Sequence, residues 1–388
     1  MRRVLPLAVV AVLSVVVATV LALVVTDRGP VAPGSGGTSA AAPGPAPAQA
    51  SPSGPAVPRG VDLAQRFLET YVDPDGRVVR RDQGGDTVSE GQAYAMLLAV
   101  AADDERSFDR VWGWTQENLL RPDGLLSWTW RDGAVVDGNS ASDADVDAAH
   151  ALVVAAEAFG RDDLRTDGVA LATAVLDHET AATPLGRVLV AGQWATTPPY
   201  RVNPSYSSPA AYRVLEEATG DPRWSELAAG DRAVLDRLLQ DAPLPPDWAQ
   251  VGADGQVAAM PGTDGAVDYG LDAQRVALRY GAACDPAARR VAATIGTRID
   301  TTPAAVRGEY DLGGTPVVTW QHPLALVSAA AASAADGEDT RSSALVTAAA
   351  ELDARASTYY GAAWAALGER LLEDPTSLGI ACRAEEDA

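Results

Sequence analysis

The sequence predicts an all-α fold, in which about twelve helices form a toroid, or α/α barrel, behind an N-terminal transmembrane or signal segment. Three observations predict this fold. Apolar residues recur at helical spacing along most of the chain, the candidate helices recur in pairs, and the segments between them are rich in Gly, Pro, Asp and Trp. Composition by itself supports only a large all-α domain.

The first 28 residues are a predicted signal anchor. Residues 4–25 are 22 positions without a charge, about the length that crosses a bilayer and longer than a signal-peptide core of roughly 7–15 residues. Arg2 and Arg3 favour a cytoplasmic N-terminus, with everything downstream outside, and an uncleaved segment would attach the protein to the membrane. A cleaved signal peptide is the alternative, because small residues follow in "SAAAPGPAPAQA". Both interpretations export the domain, either anchored at the extracellular face or secreted.

The rest of the chain divides into three segments. Residues 29–58 are mostly Pro, Gly, Ala and Ser and predict a solvated linker, residues 59–382 predict the folded domain, and residues 383–388 are an acidic tail. No strand-rich block is evident, although residues 186–200 and 309–320 could hold short strands. Periodicity predicts helices over 61–72, 89–102, 106–120, 144–160, 163–178, 208–219, 223–240, 271–282, 285–298, 322–335, 341–354 and 358–372.

Charge and composition exclude several classes of function. The 388 residues include 52 acidic and 30 basic side chains, a net charge of −22, which repels nucleic acids but not a neutral substrate. The three histidines and two cysteines are too scattered for a zinc site, so we expect no metal and no cofactor. Cys284 and Cys382 form one disulfide in an exported domain or stay as two thiols, and their spacing does not decide between these.

The stretch "TVSEGQAYAMLLAVAADD" begins with polar residues and continues as an apolar helix. Thr87 with Glu90, and Ser89 with Gln92, have the spacing of a capping box, which would give Glu90 a purely structural role. A carboxyl group at the start of an apolar helix could instead have a raised pKa and serve as a proton donor. Both interpretations remain open at this point.

The stretch "DGNSASDADVDAAHALVVAAEAF" allows three interpretations. Ser142 or Asp143 could N-cap the following helix. The alternating Asp143, Asp145 and Asp147 could form a calcium loop, although Ala148 and Val154 stand where such a loop has Gly and Glu. A carboxylate at a helix start beside a loop could also contact a ligand.

The stretch "VDYGLDAQRVALRY" places Asp272 at a helix start, three residues before Arg275. The pair is either an ordinary ion pair on a helix surface or a carboxylate kept ionised as a general base.

Tryptophans also occur in loops that are rich in Gly, Pro and Asp, where such rings often stack on flat ligands such as sugars. Those in loop-like positions are Trp128, Trp130, Trp194, Trp248 and Trp320, and "RVNPSYSSPAAYR" adds Asn203 and Tyr206 in another polar loop.

Five stretches together resemble glycoside hydrolase family 8, also called cellulase family D, over residues 60–372. They are "SEGQAYAM", "NSASDADVDAAHALVVAAEAF", "NPSYSSPAAYR", "PPDWAQV" and "LDAQRV", in the order and approximate spacing of that family. The resemblance implies an (α/α)6 barrel and hydrolysis of internal β-1,4 linkages with inversion at the anomeric carbon. It implies that Glu90 is the proton donor, Asp272 the base, and Asp143 the residue that holds the sugar at the cleavage point.

Further site residues follow from the same resemblance. Arg275 matches the partner of the base, and the predicted substrate-binding set is Trp128, Tyr206, Arg275, Trp194, Asn203 and Tyr94. Four positions depart from the pattern. Ala93 and Ala95 replace common glycines in the cleft floor, Ala148 stands where Ile or Met is usual, and Leu271 stands where an aromatic residue is common before the base.

The expected partner is a polysaccharide, and we expect a monomer. β-Glucan or cellulose is the favoured substrate, with chitosan, lichenan and xylan as alternatives. A catalytically weak glycan-binding or wall-scaffolding protein on the same fold is the rival from another class, and a uronate lyase on a similar toroid is the second enzymatic rival. The acidic surface argues against a lyase, because uronic polymers carry the same charge.

Overall fold

Twelve α-helices account for most of the residues that the computed structural model describes, 62–262 and 265–382. Each helix begins and ends within two residues of the bounds that the sequence predicts. The predicted signal anchor, linker and acidic tail lie outside the described residues, and no described helix has the length and apolarity for crossing a membrane. The helices are α1 (Leu63–Tyr71), α2 (Ser89–Ala101), α3 (Glu105–Asn118), α4 (Ser142–Phe159), α5 (Asp162–His178), α6 (Pro209–Thr219), α7 (Arg223–Asp241), α8 (Leu271–Gly281), α9 (Pro286–Gly296), α10 (Pro323–Ala335), α11 (Asp339–Arg355) and α12 (Tyr359–Glu373).

The even-numbered helices form a closed inner ring. α2 contacts α4, α4 contacts α6, and the contacts continue through α8, α10 and α12 back to α2. Each odd-numbered helix packs against one or both of its even-numbered neighbours; α3 packs on α2 and α7 on α6. Six helical pairs arranged in this way agree with the (α/α)6 barrel that the sequence predicts.

Burial explains why the helices separate into two layers. α4 and α10 are buried on all sides along most of their length, as expected for helices that are apolar all round. The outer helices bury only one face; on α9 that face is Ala288, Val291, Ala292 and Ile295, at the three- and four-residue spacing of an amphipathic helix. Small residues allow the inner helices to approach closely. A Cβ atom on Gly368 of α12 would lie 2.6 Å from Val327 of α10.

The long connections all lie at one end of the ring, before the even-numbered helices, and they carry ten short strands. The connections that follow even-numbered helices are turns of two to four residues, as between α4 and α5. The strands are β1 (Thr87–Val88), β2 (Thr129–Arg131), β3 (Ala134–Asp137), β4 (Thr180–Thr183), β5 (Gly186–Leu189), β6 (Tyr200–Val202), β7 (Trp248–Val251), β8 (Val257–Met260), β9 (Asp268–Tyr269) and β10 (Tyr310–Asp311).

All strand pairs are antiparallel. They form two three-stranded sheets, β1-β2-β3 and β6-β7-β8, and two pairs, β4-β5 and β9-β10. Strands thus occur in more places than the two segments, 186–200 and 309–320, that the sequence indicated. Strands of two to four residues are too short to show alternation in the sequence, and several pair with partners far away along the chain.

The two cysteines are paired. Cys284, just after α8, forms a disulfide with Cys382 across a sequence separation of 98 residues, with a Cα–Cα distance of 5.1 Å. The sequence left open whether Cys284 and Cys382 form a disulfide or stay as two thiols, and the structure shows the disulfide. The bond attaches the C-terminal segment to the turn between α8 and α9.

Candidate active site

One arginine organises the centre of the ring at the end that carries the long connections. Arg275 lies on α8, and its side chain is only 1% exposed. Nη1 donates to Glu90 Oε1 (2.8 Å) and to Asp143 Oδ2 (2.8 Å), and Nη2 donates to Asp272 Oδ1 (2.9 Å). The three acidic residues that the sequence singled out, from α2, α4 and α8, therefore converge on a single guanidinium.

The loop before α6 fixes the remaining face of Arg275. Nε donates to Ser205 Oγ at 3.1 Å, and that hydroxyl donates to Asn203 Oδ1 at 2.7 Å. The guanidinium carbon lies 5.3 Å from the ring centre of Tyr206 and 5.9 Å from that of Trp364, within cation–π range. Arg275 is thus fixed by two aromatic rings and a hydroxyl as well as by three carboxylates.

Glu90 is the second residue of α2 and is 21% exposed. Its Oε1 accepts hydrogen bonds from the Tyr94 hydroxyl (2.5 Å) and from Arg275. The following residue must be small, because a Cβ atom on Gly91 would lie 2.6 Å from the Tyr359 hydroxyl. Burial and the charge of Asp143 raise the pKa of Glu90 to about 7, against the lowering effect of Arg275.

The capping interpretation of this stretch is wrong. The N-cap of α2 is Val88, and no side chain caps the helix. Thr87 donates its hydroxyl proton to the Val78 carbonyl, and the amide of Gln92 binds backbone groups at Gly76 and Val111. These side chains form tertiary contacts that the sequence pattern could not reveal.

Asp143 lies in the first turn of α4 and is 3% exposed. The predicted N-cap at Ser142 or Asp143 is wrong: the helix begins one residue earlier, at an N-cap of Ala141, because Ser142 donates to the Val190 carbonyl and Asp143 binds Arg275. Burial raises the pKa of Asp143, and Arg275 opposes that shift.

The calcium interpretation is also wrong. α4 turns the three alternating aspartates toward different partners, with Asp143 on Arg275, Asp147 on Arg279 (2.7 and 2.8 Å), and Asp145 on the Leu126 amide. Within residues 62–262 and 265–382, no group of three His, Cys, Asp or Glu side chains is arranged to hold a metal ion.

Asp272 lies in the first turn of α8 and is 31% exposed. Its Oδ1 accepts from Arg275, and its Oδ2 accepts from Asn203 Nδ2 at 3.0 Å. The two reactive candidates, Glu90 and Asp272, bind different terminal nitrogens of the same guanidinium. Because those nitrogens are about 2.3 Å apart, the two bound oxygens are separated by at most about 8 Å.

Asp247, in the stretch "PPDWAQV", is a site residue that sequence reasoning missed. Its Oδ1 accepts from the backbone amides of Gly270 (2.9 Å) and Ala273 (2.7 Å), and so caps the helix on which Asp272 lies. Burial and the charge of Asp272 raise the pKa of Asp247 to about 8. The stretch was recognised only as a family motif, because a cap supplied from a different segment leaves no local signal.

The predicted aromatic residues lie at different depths. Trp128 is half-buried, and its carbonyl accepts from the Ser89 amide (3.0 Å), one residue before Glu90. Trp194 is 44% exposed and donates to the Ser140 carbonyl (3.2 Å). Tyr206 is half-buried beside Arg275, at 6.1 Å from Trp248.

Tyr94 and Arg275 differ from the rest of the predicted substrate-binding set, because both side chains are buried beneath the carboxylates. Asn203 is buried too and holds Asp272. Trp130 packs against Trp114 of α3, at a ring distance of 5.3 Å, and lies away from these groups.

Comparison with known proteins decides the family. The sequence profile described as "Glycosyl hydrolases family 8" matches residues 63–370, which is most of the chain. The chain belongs to glycosyl hydrolase family 8. The resemblance seen in the sequence is thereby confirmed.

Relatives within family 8 are named as endoglucanases. A probable endoglucanase from Novacetimonas hansenii is 36% identical over 222 residues, covering 55% of this chain and 64% of that protein. An endoglucanase from Cellulomonas uda is 31% identical over 222 residues, covering 55% and 61%. The chain thus spans less than two thirds of the length of these two relatives.

A solved endoglucanase structure supports the fold over a longer range. An endo-β-1,4-glucanase from Acetobacter xylinum is 29% identical in sequence, with a TM-score of 0.67. The superposition covers 82% of this chain and 99% of that one.

The central arginine generates a stability prediction. Arg275→Met leaves three clustered carboxylates without their shared cation, and breaking a buried ion pair from one side costs about 3–5 kcal/mol. We expect the free energy of unfolding, measured by urea denaturation at about pH 7, to fall by a similar amount. Arg237→Met, at an exposed position on α7, is the matched control and should leave it nearly unchanged. A loss of under about 1 kcal/mol in Arg275→Met would contradict a central role for this cation.

Proposed function

We propose that this chain is an inverting, endo-acting glycoside hydrolase that cleaves β-1,4 linkages, most favourably in a β-glucan such as cellulose. The observation that carries the proposal is the convergence of Glu90, Asp143 and Asp272 on the buried Arg275. A glycan-binding protein without catalytic activity needs no such arrangement, since binding sugars requires aromatic faces and hydroxyl partners but no acid and base.

In the proposed reaction, Glu90 protonates the oxygen of the leaving sugar. Its pKa of about 7 keeps a substantial part of the enzyme in the protonated form near neutral pH, which is the state a general acid requires. The Tyr94 hydroxyl and Arg275 both bind Oε1, which orients the carboxyl group and favours a proton on Oε2. Glu90 is also partly exposed, so a substrate can reach it.

Asp272 acts as the base in this scheme. It removes a proton from a water molecule as the water attacks the anomeric carbon from the face opposite to Glu90. Inverting enzymes place their two carboxyl groups roughly 6.5–9.5 Å apart so that this water fits between them. The limit of about 8 Å that Arg275 sets is compatible with that spacing.

Asp143 is assigned to the sugar at the cleavage point. Its carboxylate binds the same guanidinium nitrogen as Glu90, on the arginine that also binds Asp272. Hydrogen bonds from sugar hydroxyls to such a group can strengthen as the ring flattens toward its oxocarbenium-like transition state. Tyr94, Arg275 and Asn203, all buried, are assigned to positioning the acids rather than to contacting the substrate.

Aromatic faces support a polysaccharide substrate. Trp128 lies beside the start of α2, Tyr206 beside Arg275, and the exposed Trp194 farther along the same loops. Such rings stack on the apolar faces of sugars. The endoglucanase names of the relatives favour β-1,4-glucan over lichenan, chitosan and xylan.

We also propose that residues 59–382 act as a catalytic domain outside the cytoplasm, anchored by residues 1–28 or secreted. The disulfide between Cys284 and Cys382 supports this location, because such bonds persist in oxidising compartments. The uncharged segment at residues 4–25 supports it independently.

The first prediction concerns the proton donor. Glu90→Gln removes the transferable proton and keeps the shape of the side chain, so we expect kcat on carboxymethylcellulose or the preferred polymer to fall at least about a hundredfold. Melting temperature should stay close to that of the wild type. Glu69→Gln, an exposed position on the neighbouring α1, is the control.

Unchanged turnover in Glu90→Gln would remove this residue from the mechanism. If the wild type releases no reducing sugar from β-glucan, lichenan, chitosan or xylan but binds one of them, the glycan-binding alternative is correct. An unsaturated product would instead indicate a lyase.

The second prediction concerns pH. Activity should fall as pH rises through about 7, because Glu90 then loses the proton that it must donate. The hydrogen bond from Tyr94 lowers the pKa of Glu90, so Tyr94→Phe should move the alkaline limb of kcat/KM to higher pH.

Tyr71→Phe is the control for this measurement, because Tyr71 is also buried but binds Ser357. Its pH profile should match that of the wild type. If the alkaline limb of the kcat/KM profile stays in place or moves to lower pH in Tyr94→Phe, the assignment of that limb to Glu90 is contradicted.

A further inference from the structure

We propose that a second, fully buried carboxyl pair, Asp145 with Glu179, is a positioning device that holds together the two loops carrying Trp128 and Trp194. The sugar-binding role of these loops rests on the function proposed above. The positioning role itself rests on the hydrogen bonds that Asp145 accepts from one loop and Glu179 accepts beside the other. Neither residue touches Arg275 or belongs to the acid–base machinery.

The two carboxyl groups face each other in the interior. Asp145 is on α4, Glu179 directly follows α5, and both are completely buried. Each is among the groups that shift the pKa of the other, so the two carboxyl groups lie close together. Asp145 Oδ2 and Glu179 Oε2 are buried and have no N–H or O–H donor elsewhere in the described part of the chain. Two such oxygens can stay buried side by side only when a proton is bound between them.

The Asp145 side of the pair holds the loop of Trp128. Oδ1 accepts from the Leu126 amide at 2.8 Å, two residues before the tryptophan. The amide of Trp128 in turn donates to the Asn139 carbonyl at 2.7 Å. The position of Trp128, and of the Ser89 amide that binds its carbonyl, therefore depends on where Asp145 lies.

The Glu179 side holds the loop of Trp194. Oε1 accepts from the Ser140 hydroxyl at 2.6 Å, and that hydroxyl accepts from the Gln193 amide at 3.0 Å. The Ser140 carbonyl accepts from the indole nitrogen of Trp194 at 3.2 Å. A Cβ atom on Gly192 would lie 2.3 Å from that same carbonyl, so the two segments are in direct contact.

The shared proton makes this arrangement sensitive to pH. Burial raises the pKa of both groups, that of Glu179 to about 8, and the charge of Glu179 further raises that of Asp145. Arg121 opposes both shifts, and the charge of Asp143 adds to the shift of Glu179. Arg121 itself donates to the Gly138 carbonyl and to Gln193, in the same two segments. Loss of the Glu179 proton would leave a buried carboxylate against Asp145 and change the contact between the two groups, which displaces the loops that they hold.

The sign of the stability effect follows from these shifts. In the unfolded chain Glu179 has its ordinary pKa of 4.5, whereas in the folded protein it keeps a proton up to about pH 8. Folding therefore takes up a proton in this window, and the contribution of the pair to stability falls as pH rises from about 4.5 to 8.

Glu179→Gln tests the proposal, because an amide can donate to Asp145 and accept from Ser140 without a titrating proton. In the wild type we expect a step in tryptophan fluorescence near pH 8, which Trp194→Phe reduces and Glu179→Gln abolishes. At about pH 9 the KM for cellohexaose should be about threefold or more higher in the wild type than in Glu179→Gln, the equivalent of one lost hydrogen bond. At about pH 6 the two values should agree, and kcat should follow the same pH profile in both proteins.

Glu157→Gln, at an exposed position near the end of the same α4, is the matched control and should behave as the wild type. If Glu179→Gln does not fold, Asp145→Asn removes the shared proton from the other side and takes its place. A fluorescence step that persists in these variants overturns the proposal. The fluorescence measurement needs no substrate, so a chain without hydrolase activity would defeat the proposed function and leave this test intact.

Discussion

A single buried cation among three carboxylates is the constraint on which this structure depends. Arg275 has almost no contact with solvent, so its charge needs partners, and Glu90, Asp143 and Asp272 supply them from three different helices. The reverse also holds: without the guanidinium, three acids would repel one another at close range. This mutual requirement limits how far apart the acids can stand, and it links the starts of α2, α4 and α8 at this end of the ring.

The helical ring and the loops at one end of it have different roles in the structure. The inner helices α4 and α10 are buried on all sides along most of their length, and buried charges in the centre have identifiable partners, as Asp147 has in Arg279. The long connections at one end supply exposed aromatic residues such as Trp194. Two sets of hydrogen bonds connect the loops to the helices. Asp247, just before β7, caps α8, and the pair formed by Asp145 and Glu179 holds the loops that carry Trp128 and Trp194. Burial raises the pKa of Asp247, Asp145 and Glu179, although none of these residues belongs to the proposed acid–base group.

Helical periodicity predicted the twelve helices well, because a long amphipathic or apolar pattern is a local property. Local patterns failed wherever a side chain has a distant partner. Ser142 looked like a cap but donates to a carbonyl 48 residues away, and Glu90 looked like half of a capping box but binds Tyr94 and Arg275. The three acids could be singled out because each lies at a helix start beside a polar loop, yet only the resemblance to a family assigned them separate roles. Glu179 gave no signal, since an acid at the end of a helix reads as a solvated residue.

We propose that Glu90 and Asp272 act on two sides of one substrate, with a water molecule between the substrate and Asp272. The configuration of the newly formed sugar end tests this claim most directly. Proton NMR during the first minutes of hydrolysis of a β-1,4-linked glucan, before mutarotation, reports which anomer appears first. The account predicts that the α-anomer appears first, by direct attack of water on the opposite face. First appearance of the β-anomer would require a covalent intermediate and two closer carboxyl groups, and would contradict it.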